Sequence, residues 1–183
     1  MAIRKKHDFP VEDIRRFIEP GPILLISSRH DGDANIMTCG WHMVMGYDAI
    51  GCFIWDQNRS HDMIRKSREC AINIPTADMA ETVVGIGNTT GSKIDKFEHF
   101  GLTAQPAERV RAPLIGECFA NLECRLEDVS LIRKYSLFVF RVVKAHAPKT
   151  PRLPNLLHYS GDGIFAVSTQ TRNLKRRFKP EML

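Results

Sequence analysis

GECFANLECRLEDVSLI (116–132) and SLFVFRVVKAHAP (136–148) decide the fold class. Both read as long β patterns, and only Arg133-Lys134-Tyr135 separates them. So short a link predicts an antiparallel pair. Upstream, PILLISS (22–28), NIMTCGWHMVM (35–45), AIGCFIW (49–55) and ECAINIP (69–75) also read as strands. Downstream, GIFAVST (163–169) reads as a short final one. Asp31-Gly32 within HDGD (30–33) has turn chemistry, Gly46-Tyr47-Asp48 separates two strands, and Pro75 ends another.

The helical patterns between these strands are short. PVEDIRRFI (10–18) places Pro10 in a first turn, and Glu19-Pro20-Gly21-Pro22 stops it. SHDMIRKS (60–67) has Ser60 as a cap, with Met63 and Ile64 facing inward. TADMAETVVGIG (76–87) follows a cap-like Thr76, and KIDKFEHFG (93–101) closes at Gly101. About seven strands with two or three small helices make a mainly β, α+β chain, best arranged as an antiparallel barrel. Strands do not alternate with long helices, which argues against a doubly wound nucleotide-binding sheet.

The length of 183 residues suits one domain, taken as 1–183. The hydrophobic fraction of 43% and the charged fraction of 26% are those of an ordinary globular protein and exclude disorder and collagen. No apolar run reaches bilayer-spanning length. MAIRKKHDFP has charge but no apolar stretch behind it, unlike a secretory signal. The expectation is a cytoplasmic protein with no membrane segment. Five cysteines, at 39, 52, 70, 118 and 124, are scattered and form no C-x-x-C, so they read as buried thiols rather than disulfides or zinc ligands. Much of the net charge of +5 lies in TRNLKRRFK (171–179), a basic tail over 171–183. It is either solvated or a patch for an anionic cofactor or partner. Elsewhere the two signs mix evenly, which argues against nucleic acid.

GIGNTTGSKIDKF (85–97) raises the question of phosphate binding. Gly87 and Gly91 enclose three residues where the P-loop needs four, and the order Gly-Ser-Lys is wrong. A dinucleotide fingerprint would need a third glycine where Thr90 stands, and a strand before it. Alone, the segment reads as a turn between two helices. There is no G-x-S-x-G, no H-E-x-x-H and no Cys/His cluster, so no metal is expected.

Taken in order, GPILLISSRHDGDANIMTCGW (21–41), NRSHDMIRKSRECAINIP (58–75), IDKFEHFGLT (94–103) and APLIGECFANLEC (112–124) resemble the flavin reductase-like family, the FMN-binding split barrels that include flavoredoxin. The resemblance covers roughly residues 20–170. It implies an antiparallel Greek-key split β-barrel with short flanking helices, a homodimer, and FMN at the dimer edge. It also implies an NAD(P)H:flavin oxidoreductase, with NADH or NADPH as co-substrate and free flavin, iron or a protein as acceptor. Alternatives are an electron-transfer flavoprotein fed by a protein donor, or a non-catalytic flavin-binding protein.

Arg59 and Ser60, directly before a helix start, suit the FMN phosphate, and by that resemblance Ser60 takes the position of the family's phosphate-contacting hydroxyl; His61 beside them is a further cofactor-binding candidate. Read alone, Ser60 is a helix cap and Arg59 a surface charge. Asn35, Ile36, Met37 and Thr38 match the family strand along the flavin ring, and Trp41 matches a nearby aromatic. Lys96 in Asp95-Lys96-Phe97 is the cation that reaches the flavin, with Asp95 orienting it and loop 87–92 presenting it. Relatives carry a histidine near the reactive face where this chain has Tyr135, which therefore stands as a residue on the substrate side. His158-Tyr159 and Phe165 are candidates to complete the pocket, with core packing the commoner role for Phe165. The chemistry belongs to the flavin, so no protein nucleophile is required.

Overall fold

The structure, a computed structural model, describes residues 3–18, 21–150, 154–179 and 181. In chain order its first elements are β1 (His7–Phe9), α1 (Arg15–Ile18), β2 (Leu24–His30), β3 (Asp33–Cys39), β4 (His42–Val44) and β5 (Ala49–Phe53). Then come α2 (Arg59–Ser67), β6 (Glu69–Ile74), α3 (Ala80–Asn88), α4 (Lys96–His99), β7 (Ala104–Gln105) and β8 (Leu114–Ile115). The last are β9 (Ala120–Asp128), α5 (Ile132–Tyr135), β10 (Leu137–Ala147), β11 (Leu157–Tyr159) and β12 (Phe165–Val167).

The main sheet runs β3-β2-β6-β9-β10-β5-β4, with β1 added on β10, and every pairing is antiparallel. Its two ends, β3 and β4, are one stretch of chain interrupted only at Gly40 and Trp41. The chain pairs with β2 through Cys39, bends, and pairs with β5 from His42 onward. The single strand expected over 35–45 is therefore two. The bend brings the ends of the sheet to a common corner and curls it into a split barrel. With β3 and β4 counted once, β2, the bent strand and β5 follow one another directly. β6 then returns beside β2, which is the Greek-key order.

Local chemistry explains these elements. Asp31 and Gly32 both have positive φ, +50° and +87°, as a two-residue hairpin turn between β2 and β3 requires. The β9–β10 pair forms as expected, and two register shifts interrupt it, between Val139 and Phe140 and between Val142 and Lys144. Phe138, Phe140 and Val142 face the barrel core. After the second shift the inward positions change phase to Ala145 and Ala147. Bulges of this kind add the twist that curling needs.

The barrel interior is filled by Leu24, Ile26, Ile50, Ile72, Leu122, Phe138 and Phe140 among others. A second core lies between the outer face of β2–β3 and the helices, where Leu25 and Ile36 meet Val83, Ile86 and Phe97. Neighbouring strand residues thus serve different cores. All five cysteines are buried and unpaired, as expected. On the outer face of β9, fully buried Glu123 accepts hydrogen bonds from the backbone N–H groups of Glu108 (3.1 Å), Arg109 (2.5 Å) and Val110 (3.2 Å), and pairs with His146 Nε2 at 2.7 Å.

Apart from α2, which begins one residue earlier than expected, the expected helices are shorter than the sequence suggests. The segment at 10–18 is a 3-10 turn, Val11–Asp13, followed by one α turn. The Glu19-Pro20 part of its stop lies outside the described residues. Thr76 precedes a 3-10 turn (Ala77–Met79) that leads into α3, and its hydroxyl bonds Asp78 instead of capping backbone. Only Lys96–His99 of the 93–101 segment is helical, and Gly101 ends the turn at φ +60°. No helix among the described residues is long and apolar enough to cross a membrane.

Candidate functional site

β3, the start of α2, the end of α3 and Lys96 wall a polar cavity of about 120 Å³. It adjoins an apolar cleft of about 500 Å³, and Met37, Thr38, Asn58 and Gly87 line both. Together they form one groove with two chemically different ends.

The polar end is built around the first turn of α2. Asn58 is the N-cap, and no side chain caps the helix. The amides of that turn thus carry the positive end of the helix dipole without an internal partner from a capping side chain. Ser60 is not the cap that its sequence position suggests. The helix begins one residue earlier, so Ser60 is turned inward, fully buried, and accepts a hydrogen bond from Asn35 Nδ2 at 2.9 Å. The other amide atom, Asn35 Oδ1, is buried without a partner. Arg59 binds the Asp33 carboxylate at 2.5 Å and the Gly91 carbonyl. It thereby ties the start of β3 to the glycine loop.

That loop is itself part of the wall. Gly85 to Asn88 is the last turn of α3, and Gly87, Thr89, Thr90 and Gly91 face the polar cavity. A Cβ on Gly91 would lie 2.0 Å from Asn35 Oδ1, so only glycine fits beside it. The segment is more than a turn that presents Lys96. It closes the polar end over Asn35 and Ser60.

Lys96 opens α4, and Asp95 caps that helix by accepting from the N–H groups of Phe97 (2.8 Å) and Glu98 (3.2 Å). Asp95 positions the helix rather than the ammonium group. Lys96 Nζ donates to the carbonyls of Ile36 and Ile86, both at 2.8 Å, and so clamps β3 to α3. Only 4% of Lys96 is exposed, and burial pushes its pKa down from 10.5 to about 8.

The apolar end is lined by Met37, Trp41, Phe53, Trp55, Val83, Tyr159 and Phe165. The Trp41 ring lies 5.2 Å from that of Phe53, yet the residue is 70% exposed, so it is not a core tryptophan. The Tyr159 and Phe165 rings pack 5.0 Å apart and line the same cleft. Thr38 donates its hydroxyl to the Val83 carbonyl at 2.7 Å.

Of the residues named from the sequence, Asn35, Met37, Thr38, Trp41, Arg59, Ser60 and Lys96 line the groove. Three are not brought there as side chains. Ile36 packs into the outer core and offers only its carbonyl to Lys96. His61 points to the other side of α2, its ring 5.1 Å from Phe138, where burial and then Arg65 hold it below the usual histidine pKa. Tyr135 sits half exposed on α5 under the Lys134 ammonium and lines neither part of the groove. Sequence reasoning missed Asn58, Gly91 and Trp55. Asn58 could have been suspected from its place just before Arg59-Ser60, whereas Gly91 needs the fold.

The groove suits a ligand with an anionic, hydroxylated end and a flat apolar end. The chain matches the family model described as flavin reductase like domain over residues 15–167. An uncharacterized protein of Pyrococcus abyssi is 31% identical over 130 residues, 70% of this chain and 74% of that one. An FMN-binding domain of a flavin reductases-like enzyme from Shewanella baltica has a TM-score of 0.87 at 20% identity, covering 94% of this chain and 99% of that one. Flavoredoxin of Desulfovibrio vulgaris gives 0.75 at 19% identity, covering 84% and 89%. At these identities the two structures show a shared split-barrel fold. With the family model spanning the barrel and both ends of the groove, the chain belongs to the flavin reductase like domain family.

Proposed function

We propose that this chain binds FMN in the groove and is an oxidoreductase that passes hydride from NADH or NADPH through the flavin to an acceptor. The observation that carries this reading is the junction of the polar cavity with the apolar cleft. The residues present fit the cofactor. The uncapped α2 amides, Ser60 and Arg59 suit a phosphate, since Asp33 and Gly91 engage only two of the five guanidinium donors. Asn35 Oδ1, buried and unpartnered, suits a donating hydroxyl of the ribityl chain. Met37 and Trp41 offer apolar contact in the cleft, and Lys96 supplies a cation at the polar end. FMN, when bound, supplies the two-electron chemistry, and the side chains bind and orient it.

The similar Shewanella domain is described as FMN-binding, which supports the cofactor. A homodimer is part of the same reading. Trp41, Met43, Met45 and Trp55 are all exposed around the end strand β4 and the cleft, and a second copy would cover them. Five free cysteines suit a reducing compartment such as the cytoplasm. A second reading, electron transfer from a protein donor, is favoured by the exposed basic segment at Arg172 to Lys179, which suits an acidic partner.

The test is the visible spectrum of the purified chain with FMN, then with NADH and NADPH under argon. Bound flavin that bleaches supports the reductase. Bound flavin that resists both nucleotides favours the protein donor. No bound flavin in excess FMN refutes the proposal. Ser60→Ala should weaken FMN binding about tenfold, the loss of one charge-assisted hydrogen bond. Gly91→Ala should weaken it at least as much by displacing Asn35. Both are read by quenching of flavin fluorescence, and unchanged affinity in both would move the site elsewhere.

A further inference from the structure

Across α2 from the groove lies a separate cavity of about 650 Å³, walled by α2 and by the connection from β9 to β10. Four cationic side chains, all exposed, line it: Arg65, Lys66 and Arg68 from α2 and its C-cap, and Arg133 from α5. Lys66 is paired with Asp62 at 3.3 Å. Arg65, Arg68 and Arg133 form no ion pair among the described residues, and Asp56 is the one other carboxylate on the wall. The C-terminal end of a helix attracts cations, which accounts for the three residues on α2. It does not account for Arg133, which another element brings against them from more than sixty positions along the chain. Cations gathered on one concave wall with few carboxylates among them give it a positive potential that attracts anions.

We propose that this cavity binds a phosphate-bearing small molecule through Arg65, Arg68 and Arg133. Guanidinium forks match phosphoryl oxygens in pairs, and the cavity has the size of small-molecule sites. His61 and Ser136 add a ring nitrogen and a hydroxyl to the wall, while Val129 and Ile132 give an apolar side. No Phe, Tyr or Trp ring lines it among the described residues, and the His61 ring packs edge-on against Phe138, so recognition rests on the phosphoryl group rather than on a stacked base. This site does not depend on the flavin reading, because the residues of the two are distinct.

The test is amide NMR of the full chain, titrated at constant ionic strength with inorganic phosphate, pyrophosphate and ADP in turn. Saturable shifts in residues 61–68 and 129–136, with a Kd below about 1 mM, are expected for at least one probe. Arg65→Gln with Arg133→Gln should weaken binding tenfold or more at an unchanged melting temperature. Arg133→Lys, which keeps charge but loses the fork, should fall between. A preference for pyrophosphate or ADP would assign a diphosphate, and equal affinity would assign a single phosphoryl group. Shifts confined to residues 59–60 and 89–91, or equal affinity in the double variant, would overturn the proposal.

Discussion

Replacing Lys96 with methionine should weaken FMN binding by about 10- to 100-fold, which corresponds to about 1.5–3 kcal/mol for hydrogen bonds made by a charged group. The ammonium does two things at once. It holds β3 and α3 together through the Ile36 and Ile86 carbonyls, and it places a positive charge inside the groove. Methionine keeps the volume and loses both. The pH dependence separates this from a packing effect. Burial lowers the Lys96 pKa to about 8, below its ordinary 10.5. Between those values the unfolded chain holds a proton that the folded chain has released, so this group makes stability rise with pH across that window. FMN affinity should fall over the same rise, because the groove loses its charge. Titration of flavin fluorescence from pH 6.5 to 10 should give a falling affinity in the native chain and a flat profile in Lys96→Met. Matching profiles would remove Lys96 from the site.

Glu123→Leu should destabilise the fold by about 3–5 kcal/mol and lower the melting temperature by about 10 °C, without changing FMN affinity in the material that remains folded. Burial alone would raise the carboxyl pKa, but hydrogen bonds from His146 and from the amides of Glu108 and Arg109 hold it below the usual range. Leucine leaves those donors buried and unpartnered. Since the folded pKa is depressed, the stabilisation is complete above the ordinary carboxylate range, near pH 4.3, and is lost as pH falls through the folded value. The variant should therefore lack part of the acid unfolding seen in the native chain. Calorimetry from pH 3 to 7 checks both parts, and a native-like melting curve at pH 7 would show that residues 108–110 find other partners.

The barrel was legible where side-chain alternation and turn chemistry are strong. The β9–β10 pair and the Asp31-Gly32 hairpin follow from local pattern, because the residues that specify them lie next to one another. β1, β7 and β8 have two or three residues each, too few for any period to show. The break at Gly40-Trp41 is set by closure of the sheet, which no window of sequence contains. At the groove, motif reading gathered Asn35, Met37, Thr38, Ser60 and Lys96. It also swept in Ile36 and His61, since a contiguous motif includes neighbours that a strand or helix turns the other way. The partnership of Gly91 with Asn35 links positions far apart in the chain and became visible only with the fold.

The pairing of β1 with β10, His7 opposite Ala147, also sets an order of events during synthesis. β1 leaves the ribosome some 130 residues before β10, the neighbour it pairs with. At roughly 5–20 residues per second, that delay is on the order of ten seconds. Until β10 emerges, β5 and β9 have no strand between them, and the edge that each turns toward β10 stays unpaired. Until then the nascent chain is an unfinished sheet with reactive edges, the period in which a holding chaperone would matter most.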